Sequence, residues 1–404
     1  MLQRLFLFAI VTLFFSNCSK VKTDTLFTQL PSSDTGIDFI NEVKNGEDMN
    51  IFKYRNFYNG GGVAIGDINN DGLSDVYFTS NLGKNKLYLN KGNFKFEDIS
   101  LKAGVEGKKV WSTGVVMVDI NADGLLDIYV CNAGNSKGSQ QNNELFINNG
   151  NLTFTEKAEA YNLADTGITT HAAFFDYDKD GDLDVYILNN SFIPVSSLNY
   201  SNKRELRDKD WDVADILKGG GDKLLRNDNG KFVDVSEAAG IYGSLIGFGL
   251  GVTVGDVNGD LFPDIYISND FYERDYLYIN NKNGTFSEKI QDWTMHLSQS
   301  SMGADMADVN NDGKADIFVT DMLPEPDDRL KTTTNFENYD LFTRKLNLDF
   351  YTQFMQNTLQ LNNGNQQFSE IANYAGVAKT DWSWGALLFD MDNDGLKDIY
   401  VCNG

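Results

Sequence analysis

Six near-copies of one nine-residue phrase, each a ladder of aspartates, restrict this chain more than any other feature. They are DINNDGLSD from Asp67, DINADGLLD from Asp119, DYDKDGDLD from Asp176, DVNGDLFPD from Asp256, DVNNDGKAD from Asp308 and DMDNDGLKD from Asp390. Oxygen side chains at positions 1, 3, 5 and 9 of a tight loop are what a hard, many-coordinate cation requires, and a backbone carbonyl at position 7 would complete the shell. Gly at position 6, present in five of the six copies, permits the sharp turn around the ion. The expected load is about six Ca²⁺, one per loop.

The candidate ligands in the first loop are Asp67, Asn69, Asp71, Leu73 and Asp75, and in the second Asp119, Asn121, Asp123, Leu125 and Asp127. The third offers Asp176, Asp178, Asp180, Asp182 and Asp184, and the fourth Asp256, Asn258, Asp260 and Asp264. Asp308, Asn310, Asp312, Lys314 and Asp316 follow in the fifth, and Asp390, Asp392, Asp394, Leu396 and Asp398 in the sixth. Residues at position 7 would act through their carbonyls.

An EF-hand shares the first half of this loop but needs a Glu at position 12 and a helix on each side. Position 12 is Phe78, Val130, Ile187, Ile267, Val319 and Val401. The following runs (DVYFTS, DIYVCN, DVYILN, DIYISN, DIFVTD, DIYVCN) and the leads before each loop (GVAIGD, GVVMVD, AAFFD, GVTVGD, GADMAD, GALLFD) read as strands. Each loop is therefore the tip of a β-hairpin. A third apolar run with an Asn/Gly turn follows most hairpins, as in NKLYLNKGN and NELFINNGN, and then a fourth, as in FEDISLKAGV and FVDVSEAAGI. The fold class is all-β, a β-propeller of four-stranded blades, with six calcium-loop blades visible.

The first aspartates are 52, 57, 80, 52 and 82 residues apart, which places insertions at roughly 190–221 and 321–356. Residues 26–37, LFTQLPSSDTGI, read as a fourth strand standing before any loop. Such a strand closes a ring by pairing with the other end of the chain. The sequence stops at Val401–Gly404, after the second strand of the sixth unit, so the expectation is a C-terminally incomplete propeller over 26–404.

The Gly-Val lead into DxNxDGxxD and then DIYV resembles FG-GAP/VCBS repeats, which occur in integrin alpha-subunit propellers and in the cartilage acidic protein (ASPIC/UnbV-associated) family. TGIDF followed by YNGGGVAIGD looks like VCBS-repeat surface lipoproteins of Bacteroidetes. The resemblance covers nearly everything from residue 26 and implies a seven-bladed ring with calcium loops at one rim. The chain departs from it in showing six loops, and in Leu261 where the fourth loop should carry Gly. A leucine at positive φ is strained, which puts the geometry of that loop in question.

Residues 1–18 have a basic start at Arg4 and an apolar run from Leu5 to Phe15, too short to span a bilayer, and read as a secretory signal. Cys18 directly after it resembles a bacterial lipobox cysteine, with 19–25 as a linker, although Asn17 fits that box poorly. The expected location is exported, as an outer-membrane or cell-surface lipoprotein touching the membrane only through its lipid. Cys131 and Cys402 occupy equivalent places in different blades, so buried free thiols are expected rather than a disulfide.

Formal net charge is −24, and 20 aspartates stand at positions 1, 3, 5 and 9 of the loops. Six calcium ions would add +12, so half of the excess belongs to metal sites rather than to an acidic recognition surface. Nucleic acid is excluded as a partner, because the chain has no basic stripe.

No Ser-His-Asp spacing, P-loop or GxGxxG unit is present. Of the two histidines, His171 stands where the other units carry Gly62, Gly114, Gly251, Gly303 and Gly385, and is read as structural; His296 has no partner motif. The functional candidates are the insertions, with Tyr200, Arg204, Arg207 and Trp211 in the first and Phe336, Tyr339, Phe342, Arg344 and Tyr351 in the second, together with FYERDY at 271–276. Aromatics with Arg suit sugar stacking or a protein interface, and they equally suit packing over the ring. The sequence thus points to a calcium-binding module for a protein or glycan partner. The alternative is a polysaccharide-acting lyase or hydrolase on the same scaffold.

Overall fold

The computed structural model describes residues 25–47, 49–108, 111–133, 141–334 and 337–404. Five antiparallel four-stranded meanders follow one another along the chain. In the first, Val63–Gly66, Asp75–Phe78, Lys86–Asn90 and Phe96–Asp98 pair in sequence order. A sixth hairpin, Asp381–Phe389 with Asp398–Asn403, is flanked on its other side by the two-residue strand Met322–Leu323 from the second insertion. The innermost strands of the second to sixth units, with Gly60, Gly61 and Gly62 just ahead of the first unit's strand, line one channel of about 400 Å³. This is a β-propeller, as the repeat pattern predicts.

The register explains the spacing of the loops. Gly66 faces Asp75, Val118 faces Asp127, Phe175 faces Asp184 and Gly255 faces Asp264. Ala307 faces Asp316 and Phe389 faces Asp398. Position 9 is thus the first residue of every second strand, opposite the last residue before the loop. All six loops lie at one rim, and the connections between second and third strands lie at the other.

The core is divided into slabs between neighbouring blades. One holds Tyr77, Leu87 and Leu89 of the first blade against Val130, Phe146 and Phe154 of the second. The same pattern recurs between each following pair. Around the channel the blades approach closely through glycine: a Cβ on Gly114 would stand 2.6 Å from Thr170 O, and one on Gly303 2.5 Å from Trp384 O. Threonines bridge the same gaps, Thr113 Oγ1 donating to Thr169 O at 2.6 Å and Thr170 Oγ1 to Gly249 O at 2.9 Å.

A four-residue helix ends each complete blade, closed by a left-handed residue: Gly104, Asn162, Gly240 and Gly376 in four of them. Ser32–Thr35 with Gly36 is another such helix. The expected strand within 26–37 is absent, however. A strand needs a neighbour to satisfy its backbone, and among the described residues no third strand lies beside 26–31.

Cys131 and Cys402 are both free, but only Cys131 is buried. Its strand sits inside a four-stranded blade, whereas the strand of Cys402 has no third strand beside it among the described residues. That corrects the expectation of two buried thiols. No helix of the described residues is long and apolar enough to cross a membrane.

Candidate metal centres and the opposite rim

The first loop shows how the backbone arranges its carboxylates. Asp67 accepts the N–H groups of Asp71 at 3.2 Å and Gly72 at 2.7 Å, Asn69 Oδ1 accepts that of Asp71 at 3.3 Å, and Asp71 accepts that of Leu73 at 2.9 Å. Positions 4 and 6 take left-handed φ values, 57° at Asn70 and 84° at Gly72. The same bonds recur in the second, fifth and sixth loops.

The fourth loop does so too. Leu261 adopts φ 70° and donates its N–H to Asp256 at 2.7 Å, the bond made elsewhere by Gly, while Gly259 takes φ 75° at position 4. The doubt raised by the leucine is therefore resolved in favour of an intact loop. Its side chain is 76% exposed, so nothing in the core opposes the strained backbone.

Position 9 is shielded at the base of the hairpin. Asp75, Asp127, Asp184, Asp264 and Asp316 are buried. In each loop Oδ2 accepts the N–H of position 2, at 2.8–3.2 Å. Oδ1 accepts the N–H of an asparagine ending the third strand: Asn90, Asn148, Asn227, Asn280 or Asn362, at 2.7–2.8 Å. Sequence reasoning read these asparagines only as turn residues. The signal was there, because the same residue recurs at the same strand end in five blades.

The donor set fits a hard divalent cation. In the third loop Asp176 Oδ1, Asp178 Oδ1 and Asp182 Oδ1 are buried without a hydrogen-bond partner, a costly state for carboxylate oxygens unless a cation answers them. Carboxylate oxygens of Asp176, Asp178 and Asp184 lie within 4.8 Å of one another, as do those of Asp390, Asp392 and Asp398. Only these two loops have Asp at position 3; elsewhere an Asn offers an amide oxygen. Burial, with the adjacent carboxylates, pushes Asp184 and Asp264 up to about 7 and Asp127 up to about 6. Two lysines already sit on position 5, Lys314 Nζ on Asp312 at 2.8 Å and Lys282 Nζ on Asp260 at 3.3 Å.

At the opposite rim the insertions are largely structural. Arg204 is buried and pairs with Glu273 and Asp349, and Trp211 packs with Ile193, Leu245, Phe248 and Tyr272. Arg207 donates to Ile241 O at 3.0 Å, and Tyr351 donates its hydroxyl to Thr294 O at 2.6 Å. Arg344 lies over the ring of Tyr200 at 5.6 Å. Phe336 falls outside the described residues.

Tyr339 remains 79% exposed and Phe354 45% exposed. With Phe342, whose ring is near-parallel to Phe354 at 6.0 Å, they line a cleft of about 460 Å³ edged by Gln299, Glu337 and Asn338. Phe354 was not among the sequence candidates. His171 lines the channel, where burial lowers the pKa of its imidazole. His296 does have a partner: its Nε2 lies 3.2 Å from Glu370.

Acidic hairpin tips on blades stacked about a channel define a repeat β-propeller whose loops cluster carboxylates at one rim. A family model described as FG-GAP-like repeat matches residues 48–130, 132–187, 256–319 and 346–401. The chain belongs to that family. It is similar to cartilage acidic protein 1 of Xenopus tropicalis, 34% identical over 139 residues, which are 33% of this chain and 20% of that protein. The Homo sapiens protein of that name is 30% identical over 143 residues, 35% of this chain and 21% of the relative. The chain spans about a fifth of the length of these relatives. Among solved structures, a lectin of Agrocybe aegerita that recognises non-reducing terminal N-acetylglucosamine aligns at TM-score 0.43 and 16% identity, over 83% of this chain and 72% of that one. The Vibrio cholerae biofilm matrix protein Bap1 aligns at 0.31 and 13%, over 65% and 34%.

Proposed function

We propose that the six loops hold Ca²⁺ and that the propeller serves as an exported, lipid-anchored binding module for a protein or glycan. The observation carrying the calcium reading is the third loop, where three buried carboxylate oxygens have no donor of their own. Calcium takes the chemical part of a counter-ion there, bridging the hairpin tip to the base of the second strand. The ions shape the blades and leave the other rim free for recognition. Without them the carboxylates of each loop repel one another, so binding is linked to folding. Calcium analysis of dialysed protein, with melting before and after chelation, tests this. An unchanged melting temperature in chelator contradicts it.

The recognition surface is the cleft of Tyr339, Phe342 and Phe354 with its polar edge. Flat aromatic faces beside amide and carboxylate groups suit a sugar ring or a protein side chain. Screening glycans and surface proteins with the wild type and with Tyr339→Ala and Phe354→Ala tests it. Loss of a captured ligand in both variants, with melting unchanged, is expected; a ligand held equally by all three places recognition elsewhere. No observation on the described residues favours the polysaccharide-cleaving alternative. The leader and Cys18 lie outside the described residues. Export with lipid anchoring is tested by radiolabelled-palmitate incorporation in a bacterial host, which Cys18→Ser must abolish.

A further inference from the structure

Between several loops the hydrogen bonds run on without a break. Asp264 of the fourth loop accepts the N–H of Asn280 at 2.8 Å. The side-chain amide of Asn280 then crosses to the preceding blade and donates to Tyr177 O at 2.8 Å. The Tyr177 N–H in turn donates to Asp184 of the third loop at 3.1 Å. Position 9 of one candidate site is thus joined to position 9 of the next by a single asparagine and the backbone N–H and C=O of one residue, Tyr177.

Two other junctions have the same construction. Asn148 Nδ2 donates to Ile68 O at 2.8 Å, joining Asp127 to Asp75. Asn362 Nδ2 donates to Val257 O at 2.7 Å, joining Asp316 to Asp264. Direct contacts between loop tips add to this pattern. Asn70 donates to Gly124 O at 2.9 Å between the first and second loops, and Asn311 to Gly395 O at 3.1 Å between the fifth and sixth.

One junction has neither device. Asn227 Nδ2 donates only to Leu183 O of its own blade, at 3.2 Å, and among the described residues nothing bonds it to Ile120. Position 4 of the second loop is Ala122, which has no amide to reach the third. The relay therefore stops between the second and third blades.

We propose that the calcium sites are coupled in two blocks, loops one and two and loops three to six, with Asn148, Asn280 and Asn362 as positioning residues that carry the coupling and the Asn311–Gly395 tip contact joining loops five and six. This rests on the calcium reading above. An ion that fixes Asp264 also fixes the Asn280 backbone, hence the Tyr177 peptide held by its amide, hence the orientation of Asp184. The cost of ordering is met once for several sites, and later ions bind a frame already set.

Asn227 provides a matched control. It shares with Asn280 the bond to its own blade, 3.2 Å to Leu183 O against 3.3 Å to Pro263 O. It also shares the turn bond, accepting from Gly230 N at 2.7 Å where Asn280 accepts from Lys282 N at 2.8 Å. Apart from that turn bond reaching three residues ahead at Asn227 and two at Asn280, what differs is the crossing bond.

The test is calorimetric titration of chelator-stripped protein with calcium chloride. The wild type is expected to show a Hill coefficient above 1, a value independent sites cannot exceed. Asn280→Ala should lower that coefficient and weaken half-saturation about five-fold, the low end of ordinary coupling factors. Asn227→Ala should leave the coefficient at the wild-type value. Equal isotherms for these two variants, or a non-cooperative wild type that takes up calcium, overturn the coupling alone. A wild type that takes up no calcium overturns the site reading and the coupling together. Should Asn280→Ala fail to fold, Asn362→Ala and Asn148→Ala put the same question at the other two junctions.

Discussion

The Arg204 guanidinium is forked onto the Glu273 carboxylate, Nε to Oε1 at 2.6 Å and Nη2 to Oε2 at 3.2 Å, with both side chains shut off from water. A third partner, Asp349, reaches Nη1 at 3.2 Å from the second insertion. Three segments far apart in sequence are therefore locked together above the ring. Removing one member of a buried pair strands the other charge, at a cost of about 3–5 kcal/mol. Arg204→Ala should lower the urea midpoint of the calcium-loaded protein accordingly. Arg204→Met combined with Glu273→Leu should recover most of the loss, since an apolar pair of similar volume leaves no charge stranded. A single variant with an unshifted midpoint would show that the insertions are not held by this pair.

Acidity should strengthen the fold before it weakens it. Burial pushes Asp222 and Asp275 up to about 7, and Asp270 and Asp321 up to about 6, all away from the loops. Their folded values lie above the unfolded value of about 3.9, so the folded protein binds more protons between those limits. Stability therefore rises as pH falls from about 8 toward 5. Urea midpoints in saturating calcium at the two ends of that window check the direction, and Asp275→Asn should flatten the rise. A midpoint that drops on acidification would contradict the sign.

Strands, loops and their order were legible because each is a local pattern: short apolar runs in the hairpins, an aspartate ladder at their tips. What escaped was non-local. Arg204 meets partners 69 and 145 residues away, and no spacing rule connects them, so two buried side chains looked like candidates for recognition. The strand expected within 26–37 failed because pairing needs an adjacent strand: the segment meets the first blade at Lys95 and Phe96, but no strand pairs with it among the described residues. The strand-end asparagines were visible as a repeat, yet their crossing bonds to the preceding blade appear only once blades are stacked.

Leu261 should be an easy site to improve. Its φ of 70° lies where an L side chain costs about 1–2 kcal/mol, and its side chain is mostly in solvent. Leu261→Gly removes the clash while adding chain entropy to the unfolded state, which takes back about 0.5–1 kcal/mol. The net expectation is a stabilisation of about 0.5–1 kcal/mol, measured as a higher urea midpoint with unchanged calcium uptake. Leu261→Ala keeps the Cβ and should show none of the gain. Equal midpoints for the glycine and alanine variants would mean that the backbone stores no strain there.

The third loop should hold its ion most tightly. It carries five aspartates, at 176, 178, 180, 182 and 184, where the first, second, fourth and fifth loops carry three at the ligand positions. Ligand charge is one of the means by which such loops set their affinity. The same density makes the empty loop the most repulsive: burial, and then Asp180 and Asp176, raise the pKa of Asp178. Asp178→Asn, which copies the Asn of the first loop, should therefore act in opposite directions on the two forms. The chelated protein should melt higher because a repulsion is gone, and the calcium-loaded protein should melt lower because a charged ligand is gone. The gap between the two melting temperatures narrows. The matching change Asn69→Asp in the first loop should widen it. A gap that stays constant in both variants would mean that position 3 does not face the ion.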